Sequence, residues 1–222
     1  MANRFLTLAV SGCIALASFH ANANLITNGD FESGSLTGGA SGGFGPFLTF
    51  APGSTAIDGW VIGEGGVNLW TNYKGTGNHV IDIIGNVVDG GGSLTQAFST
   101  VAGQQYSITF DLSGSNNPDL TSINNPIKEM DVTVFGSDSV SVLTMSQFIE
   151  DTSGWDGNFT SISMSFVADG SQSTIKFLGT NSGWNGFYID NVDVSVVPIP
   201  AAMWLFGSAL GLMGVMRRKL SS

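Results

Sequence analysis

The sequence has little cysteine, histidine or basic charge. Its 222 residues include one cysteine, two histidines and seven basic residues. Cys13 lies in a segment that we expect to be removed, so the remaining chain cannot form a disulfide and must be stabilised by core packing or by metal. Catalytic signatures such as GxSxG, HExxH, a phosphate loop or a cysteine nucleophile are also missing. We therefore expect a non-catalytic protein. The weaker alternative is an enzyme that cleaves polysaccharide with a pair of carboxylates.

The charge balance is strongly acidic in the central part of the chain. Residues 24–197 contain all 17 acidic residues and only three lysines, a formal charge of −14. Such a field repels phosphate groups, so nucleic acid is not an expected partner. Divalent cations are expected partners.

The N-terminus has the composition of a secretory signal peptide over residues 1–23. Arg4 is followed by an apolar stretch at 5–18 and by the small residues Ala21 and Ala23, which are typical of a cleavage site. A lipoprotein signal ending at Cys13 is the alternative, but the apolar run continues beyond that cysteine. We predict cleavage after Ala23.

The C-terminus predicts a transmembrane helix over residues 201–216, followed by the basic residues Arg217, Arg218 and Lys219. Its sixteen residues give roughly 24 Å of apolar helix, which is short for a full span. The basic side chains can extend it, and they predict a cytoplasmic C-terminus. Pro198 and Pro200 precede the helix, where proline costs little.

The motifs Val197-Pro198-Ile199-Pro200-Ala201-Ala202 and Trp204-Leu205-Phe206-Gly207-Ser208, with the basic cluster, resemble the PEP-CTERM sorting tail of exopolysaccharide-producing Gram-negative bacteria. Ile199 stands where the signature has glutamate, as in the isoleucine- or leucine-containing variants of the tail. The resemblance implies that an exosortase-type membrane transpeptidase recognises residues 198–222 and cleaves near Pro198–Pro200. Trp204 and the basic cluster belong to the anchor, and permanent anchoring is the alternative.

The central segment, 24–197, predicts an all-β fold. Tyr106, Ile108, Phe110 and Leu112 alternate with polar residues, which is typical of a half-buried strand. The same period of two recurs around residues 130–134, 162–168, 175–177 and 192–196. Turn signals separate these runs, so we predict an antiparallel sandwich, interrupted by long polar segments at 34–46 and 113–125.

Several motifs of this segment resemble the choice-of-anchor C family, which is related to a plant cell-wall protein family. They are Asn24-Leu25-Ile26-Thr27-Asn28-Gly29-Asp30-Phe31-Glu32, Trp60, Ser93-Leu94-Thr95-Gln96-Ala97-Phe98, Ala102-Gly103-Gln104-Gln105-Tyr106 with Phe110-Asp111-Leu112, and Tyr188-Ile189-Asp190-Asn191-Val192. The resemblance implies a galactose-binding-like jelly-roll β-sandwich, with Trp60 in the core.

Asp190 is the carboxylate of most interest. Counting by twos from Val196 places it on the inward face of the last strand, where an isolated charge is unfavourable. The resemblance implies a structural Ca²⁺ held by Glu32 and Asp190, with Asp30 or a backbone carbonyl as a further ligand. The alternative is a carboxylate that caps turn amides.

Two repeated turns offer tryptophans for sugar binding. In 152–157 and 181–186 a tryptophan, Trp155 or Trp184, lies between glycines, with Asn181 and Asn185 available for hydroxyls. The alternative is that each tryptophan closes an end of the sandwich. Trp70 and Tyr73 are further candidate contacts, and His79 is interpreted as structural.

These observations predict an exported, non-catalytic protein of the envelope or extracellular matrix that binds polysaccharide. Before processing, its C-terminal helix holds it in the inner membrane; afterwards it lies at the cell surface or in the matrix of a Gram-negative bacterium. The alternative is a structural, self-associating biofilm matrix protein without sugar recognition.

Processing can be tested directly on the native protein. We expect mass spectrometry to find an N-terminus at Asn24 and no peptide beyond about Pro200, because both ends carry cleavage signals. Intact 217–222 peptide on most mature molecules would contradict sorting and favour permanent anchoring.

Overall fold

A computed structural model describes residues 23–34, 40–41, 47–71, 79–83, 91–114, 127–150, 159–180 and 187–198. The strands belong to one compact unit, Asn22–Val197, and a second unit comprises Met1–Ala21 and Pro198–Ser222. Of that second unit only Pro198 is described, so the predicted signal peptide and tail helix lie outside the described residues. Within the described ranges, no helix is long and apolar enough to cross a membrane.

The described strands form two antiparallel sheets. The large sheet has the order β1-β2-β4-β5-β12-β7-β10 and the small sheet the order β3-β6-β11-β8-β9. The predicted all-β antiparallel sandwich is therefore confirmed. The strands are β1 (Ala40–Ser41), β2 (Phe47–Phe50), β3 (Val61–Ile62), β4 (Val67–Trp70), β5 (Val80–Asp82), β6 (Ser93–Ser99), β7 (Gln105–Gly114), β8 (Ile127–Phe135), β9 (Ser141–Glu150), β10 (Thr160–Val167), β11 (Gln172–Gly179) and β12 (Phe187–Val196).

The core lies between the sheets and follows the predicted alternation. In β7, Tyr106, Ile108, Phe110 and Leu112 are all buried in it. The rings of Phe110, in the large sheet, and Phe177, in the small sheet, are 5.2 Å apart. Because every second residue contributes to one core, apolar burial can stabilise the sandwich without disulfides.

Trp60 is buried, as predicted. Its side chain is 1% exposed, and its Nε1–H donates to the Asn28 carbonyl at 3.0 Å. The predicted polar interruptions agree less well with the structure. β1 lies within 34–46, and Ser113 and Gly114 complete β7; most of the remaining residues of these segments lie outside the described ranges.

The N-terminal segment is attached to β12 by backbone and side-chain hydrogen bonds. Leu25 N–H donates to the Val194 carbonyl at 2.8 Å, and Val192 N–H donates to the Gly29 carbonyl at 2.9 Å. The Asn24 amide adds a bond to the Val192 carbonyl at 2.9 Å. A Cβ at Gly29 would overlap the Val192 carbonyl oxygen, so only glycine fits this approach.

A β-bulge in β12 determines which face Asp190 occupies. Asp190 pairs with Asp111 and Asp193 with Thr109, so β12 has one more residue than β7 in this interval. Asn191, at a φ of 51°, lies within it. The prediction that Asp190 faces inward was therefore wrong, because counting by twos from Val196 crosses the extra residue.

Candidate functional site

A row of polar side chains crosses the outer face of the large sheet. The strand registers place Thr49, Asn68, Asp82, Tyr188 and Ser113 side by side on β2, β4, β5, β12 and β7. Adjacent strands lie about 4.8 Å apart, so the five positions span roughly 20 Å. We call these five residues the polar row. Their sequence neighbours face the core, which fixes the row on the opposite side of the sheet.

Four of the five residues of the polar row are buried and Thr49 is half-buried, although the outer face of an antiparallel sheet is commonly solvated. Asn68 is 3% exposed, Asp82 2%, and Ser113 and Tyr188 1% each. Buried polar groups are costly unless they form hydrogen bonds. Within the row, the Thr49 hydroxyl donates to Asn68 Oδ1 at 2.7 Å. The large sheet therefore carries organised polar groups on the side away from the main core.

An aromatic cluster adjoins this row on the same face. Phe47, Trp70, Val80 and Tyr188 form a buried group separate from the main core. Trp70 lies 5.0 Å from the Phe47 ring and 5.9 Å from the Tyr188 ring, with an edge-on arrangement in the second pair. We call these four residues the aromatic cluster. It places flat apolar rings next to amide, hydroxyl and carboxylate groups.

Asp190 and Asp111 form a carboxylate pair on the same outer face, opposite each other on β12 and β7. The Asn191 backbone N–H donates to Asp190 Oδ1 at 2.7 Å, and the Asn191 side chain donates to Asp111 Oδ2 at 2.9 Å. The pKa of Asp190 is raised to about 7, first by burial and then by the charges of Asp111, Glu32 and Asp30, while the hydrogen bond from the Asn191 N–H opposes the rise. Asp190 is therefore partly protonated near neutral pH.

Glu32 is held by His79. Its Oε1 accepts the His79 backbone N–H at 2.7 Å, and its Oε2 lies 3.4 Å from His79 Nδ1. The same Nδ1 is 3.0 Å from the Phe31 carbonyl. Because both neighbours of Nδ1 are acceptors, Nδ1 carries the hydrogen. The interpretation of His79 as a structural residue agrees with these contacts. They tie residues 24–32, which we call the opening motif, to the start of β5.

The three predicted calcium ligands interact through their charges but do not converge. Asp30 Oδ1 accepts the Glu32 N–H at 3.4 Å, while Glu32 is engaged by His79. Among the described residues, no three histidine, cysteine, aspartate or glutamate side chains are grouped so that they could hold a metal ion. Calcium would require these carboxylates to leave their present partners or to be completed by backbone carbonyls, and it stays a prediction.

Asp30 also lines an open cleft of about 320 Å³, together with Asn28, Asn191 and Asp193. Asn191 thus borders both this cleft and the carboxylate pair. The bulge residue therefore joins the opening motif to the outer face of the large sheet.

Of the predicted sugar contacts, the structure places only Trp70 in the site. Tyr73, Trp155, Asn181, Trp184 and Asn185 lie outside the described residues, as do Ala21, Pro200, Trp204, Arg217, Arg218 and Lys219. Sequence reasoning missed Asn68, Asp82, Ser113 and Tyr188. The available signal was a polar residue inside an apolar run, as in Val67-Asn68-Leu69-Trp70 and Val80-Ile81-Asp82-Ile83.

A comparison with protein families matches residues 24–195 to a family described as "Protein of unknown function (DUF642)". The chain belongs to the DUF642 family. The matched range includes every described strand except the last residue of β12. A comparison with curated proteins gave no match.

Solved structures similar to this DUF642 chain include carbohydrate-binding modules. One, described as "CBM4 structure and function", is 13% identical with a TM-score of 0.46, covering 78% of this chain and 99% of that one. TmCBM61 in complex with β-1,4-galactotriose is 11% identical at a TM-score of 0.43, covering 78% and 97%. The CBM22-1 xylan-binding domain of Paenibacillus barcinonensis Xyn10C is 12% identical at 0.45, covering 69% and 94%. At these identities and TM-scores, the similarity is one of β-sandwich fold alone.

The pKa of Asp190 predicts a pH-dependent stability. Because its pKa rises from 3.8 in the unfolded chain to about 7, the folded state holds an extra proton between these values, and stability falls as pH rises through this window. We expect Asp190→Asn to match the parent near pH 4, at the lower end of this window. Above pH 7 it should be more stable, by about 1–4 kcal/mol.

Urea unfolding from pH 4 to 8, with chelator present, measures this difference. Asp138→Asn is the control, since Asp138 lies in an exposed turn and accepts a hydrogen bond from the Val140 N–H in its own loop. A constant difference between Asp190→Asn and the parent at all pH values would contradict the raised pKa.

Proposed function

We propose that this protein is an exported, non-catalytic glycan-binding protein, and that the outer face of the large sheet is its binding surface. The observation that carries the proposal is the polar row beside the aromatic cluster, on one face and on rigid strands. Asn68, Asp82 and Ser113 provide amide, carboxylate and hydroxyl groups, and Trp70 and Tyr188 provide rings.

These groups match the chemistry of a sugar. Pyranose rings present apolar CH faces that stack on aromatic rings, and their hydroxyls both donate and accept hydrogen bonds. An ionised Asp82 only accepts hydrogen bonds, whereas the Asn68 amide both donates and accepts them. The polar row can therefore bind sugar hydroxyls that act as donors and those that act as acceptors. Since the row is buried in this structure, binding requires these side chains to become accessible. The open part of the face, towards Asp111 and β10, is the proposed entrance.

Delivery to the envelope or extracellular matrix is the second part of the proposal. It is supported by the signal-peptide pattern of residues 1–23 and by the PEP-CTERM-like tail at 198–222. In this reading an exosortase-type enzyme is the processing partner, and the extracellular polysaccharide of a Gram-negative bacterium is the ligand. The choice-of-anchor C resemblance and the galactose-binding-like assignment belong to the same proposal.

A structural Ca²⁺ held by Asp190, Glu32 and Asp30 is the third part. Its support is electrostatic: the charges of Asp30, Glu32 and Asp111 all raise the pKa of Asp190, so a bound cation would offset their repulsion. When bound, the ion would link the opening motif to β12. Its role would be structural.

Asn68→Ala tests the proposed binding surface. We expect loss of the amide to weaken glycan binding about 5- to 150-fold, the effect of removing a central contact worth about 1–3 kcal/mol. The ligand is first chosen on a glycan array with the purified protein, and affinity is then measured by calorimetry.

Gln96→Ala is the matched control. Gln96 is also a buried amide, 5% exposed, but it holds Thr27 through two backbone hydrogen bonds from the small sheet. It should cost stability without changing glycan affinity. Equal loss of binding in both variants, or no binding of the parent to any glycan, would reject this surface.

Calcium is tested by thermal unfolding at fixed ionic strength. We expect a rise of roughly 5–10 °C in Tm at a hundredfold excess over Kd, because the ion binds only the folded state. Chelator should reverse it, and both Asp190→Asn and Glu32→Gln should remove most of it, unlike Asp138→Asn. A parent Tm indifferent to calcium and chelator would reject the metal.

A further inference from the structure

The part of the outer face that borders the proposed entrance carries charge of one sign. The strands β7, β10 and β12 contain three acidic residues, Asp111, Asp190 and Asp193, and no basic residue. All three side chains point away from the main core, because their neighbours along the strands, such as Leu112 and Ile189, are buried in it. These three strands therefore present only negative charge on the outer face.

The basic residues that could offset this charge lie elsewhere. Of the three lysines in residues 24–197, Lys128 is on β8 and Lys176 is on β11, both in the small sheet, and Lys74 lies outside the described residues. The sequence segments that border the three acidic strands, 115–126, 151–158 and 181–186, also contain no lysine, arginine or histidine. No described lysine or arginine therefore neutralises the entrance.

The carboxylates lie next to the polar row. Asp111 is two residues from Ser113 on β7, and Asp190 is two residues from Tyr188 on β12. Each is thus about 7 Å along its strand from a member of the row. A charged group on a sugar bound at this end of the row would lie within a Debye length of both carboxylates, about 10 Å at 0.1 M salt.

We infer that the outer face binds neutral glycans and rejects polysaccharides that carry carboxylate or sulfate groups. The inference rests on the proposed function, because it assigns the substrate class of that same surface. Like charges brought together at an interface suppress binding of the wrong partner. This repulsion already acts within the site, since the charges of Asp111, Glu32 and Asp30 all raise the pKa of Asp190. A sugar hydroxyl meets no such repulsion.

Paired oligosaccharides that differ only at C6 test the inference. Each of the β-1,4-linked glucan, mannan and galactan hexasaccharides is compared with its C6-oxidised form, in which carboxylates replace the hydroxymethyl groups. Calorimetry at low and at high salt gives the ratio of the two affinities. We expect the parent to bind the neutral form at least about tenfold more tightly at low salt. The ratio should narrow at high salt, because ions screen the repulsion.

Asp111→Asn removes one charge from the entrance and keeps an oxygen that can accept the hydrogen bond from Asn191. It should narrow the ratio at low salt by roughly 3- to 10-fold, the effect of one charge at this separation. Asp131→Asn is the matched control, because Asp131 is also a half-buried carboxylate that accepts a side-chain hydrogen bond, from Ser146. It lies on β8 in the small sheet, so the ratio should stay as in the parent.

Thermal unfolding checks that both variants are folded, and the salt dependence of the parent needs no variant. Equal affinity for the two forms at low salt, or tighter binding of the oxidised form, would overturn the inference and leave glycan binding intact. Equal narrowing of the ratio by both variants would also overturn it, because the selectivity would then not arise at the entrance. Failure of the parent to bind any hexasaccharide or any glycan on the array would instead reject the proposed function, and this inference with it.

Discussion

The arrangement of the outer face depends on one extra residue in the last strand. Asn191, at a φ of 51°, lies between the pairs Asp190–Asp111 and Asp193–Thr109. Asparagine tolerates this left-handed conformation better than most residues. On its C-terminal side the strand directs valines into the core, and on its N-terminal side it directs Tyr188 and Asp190 to the outer face. Without the bulge, one of these two sets would change face. Either the valines would point outward, or Tyr188 and Asp190 would point into the core.

The same strand also closes the sandwich. β12 lies between β5 and β7, and its backbone holds the segment from Asn24 to Gly29. Beyond residue 23 the chain has no cysteine and a strong excess of acidic groups. Neither disulfides nor surface ion pairs can therefore hold the beginning of the domain to its end. A central strand contributed by the end of the domain, bound to its beginning, makes folding depend on long-range contacts. Asp190, the buried member of the carboxylate pair, adjoins this closure, which links stability to pH.

Much of the fold could be predicted from the sequence, because burial imposes a period of two wherever a strand is regular. Tyr106 to Leu112 illustrate this. Asp190 shows the limit: periodicity cannot detect an inserted residue, and Asn191 reads like any polar position. The site was harder to predict. Asn68 and Asp82 are distant in sequence and become neighbours only through the β4–β5 register. Trp70 could be predicted as a candidate contact because a tryptophan beside polar residues is typical of a sugar-binding position.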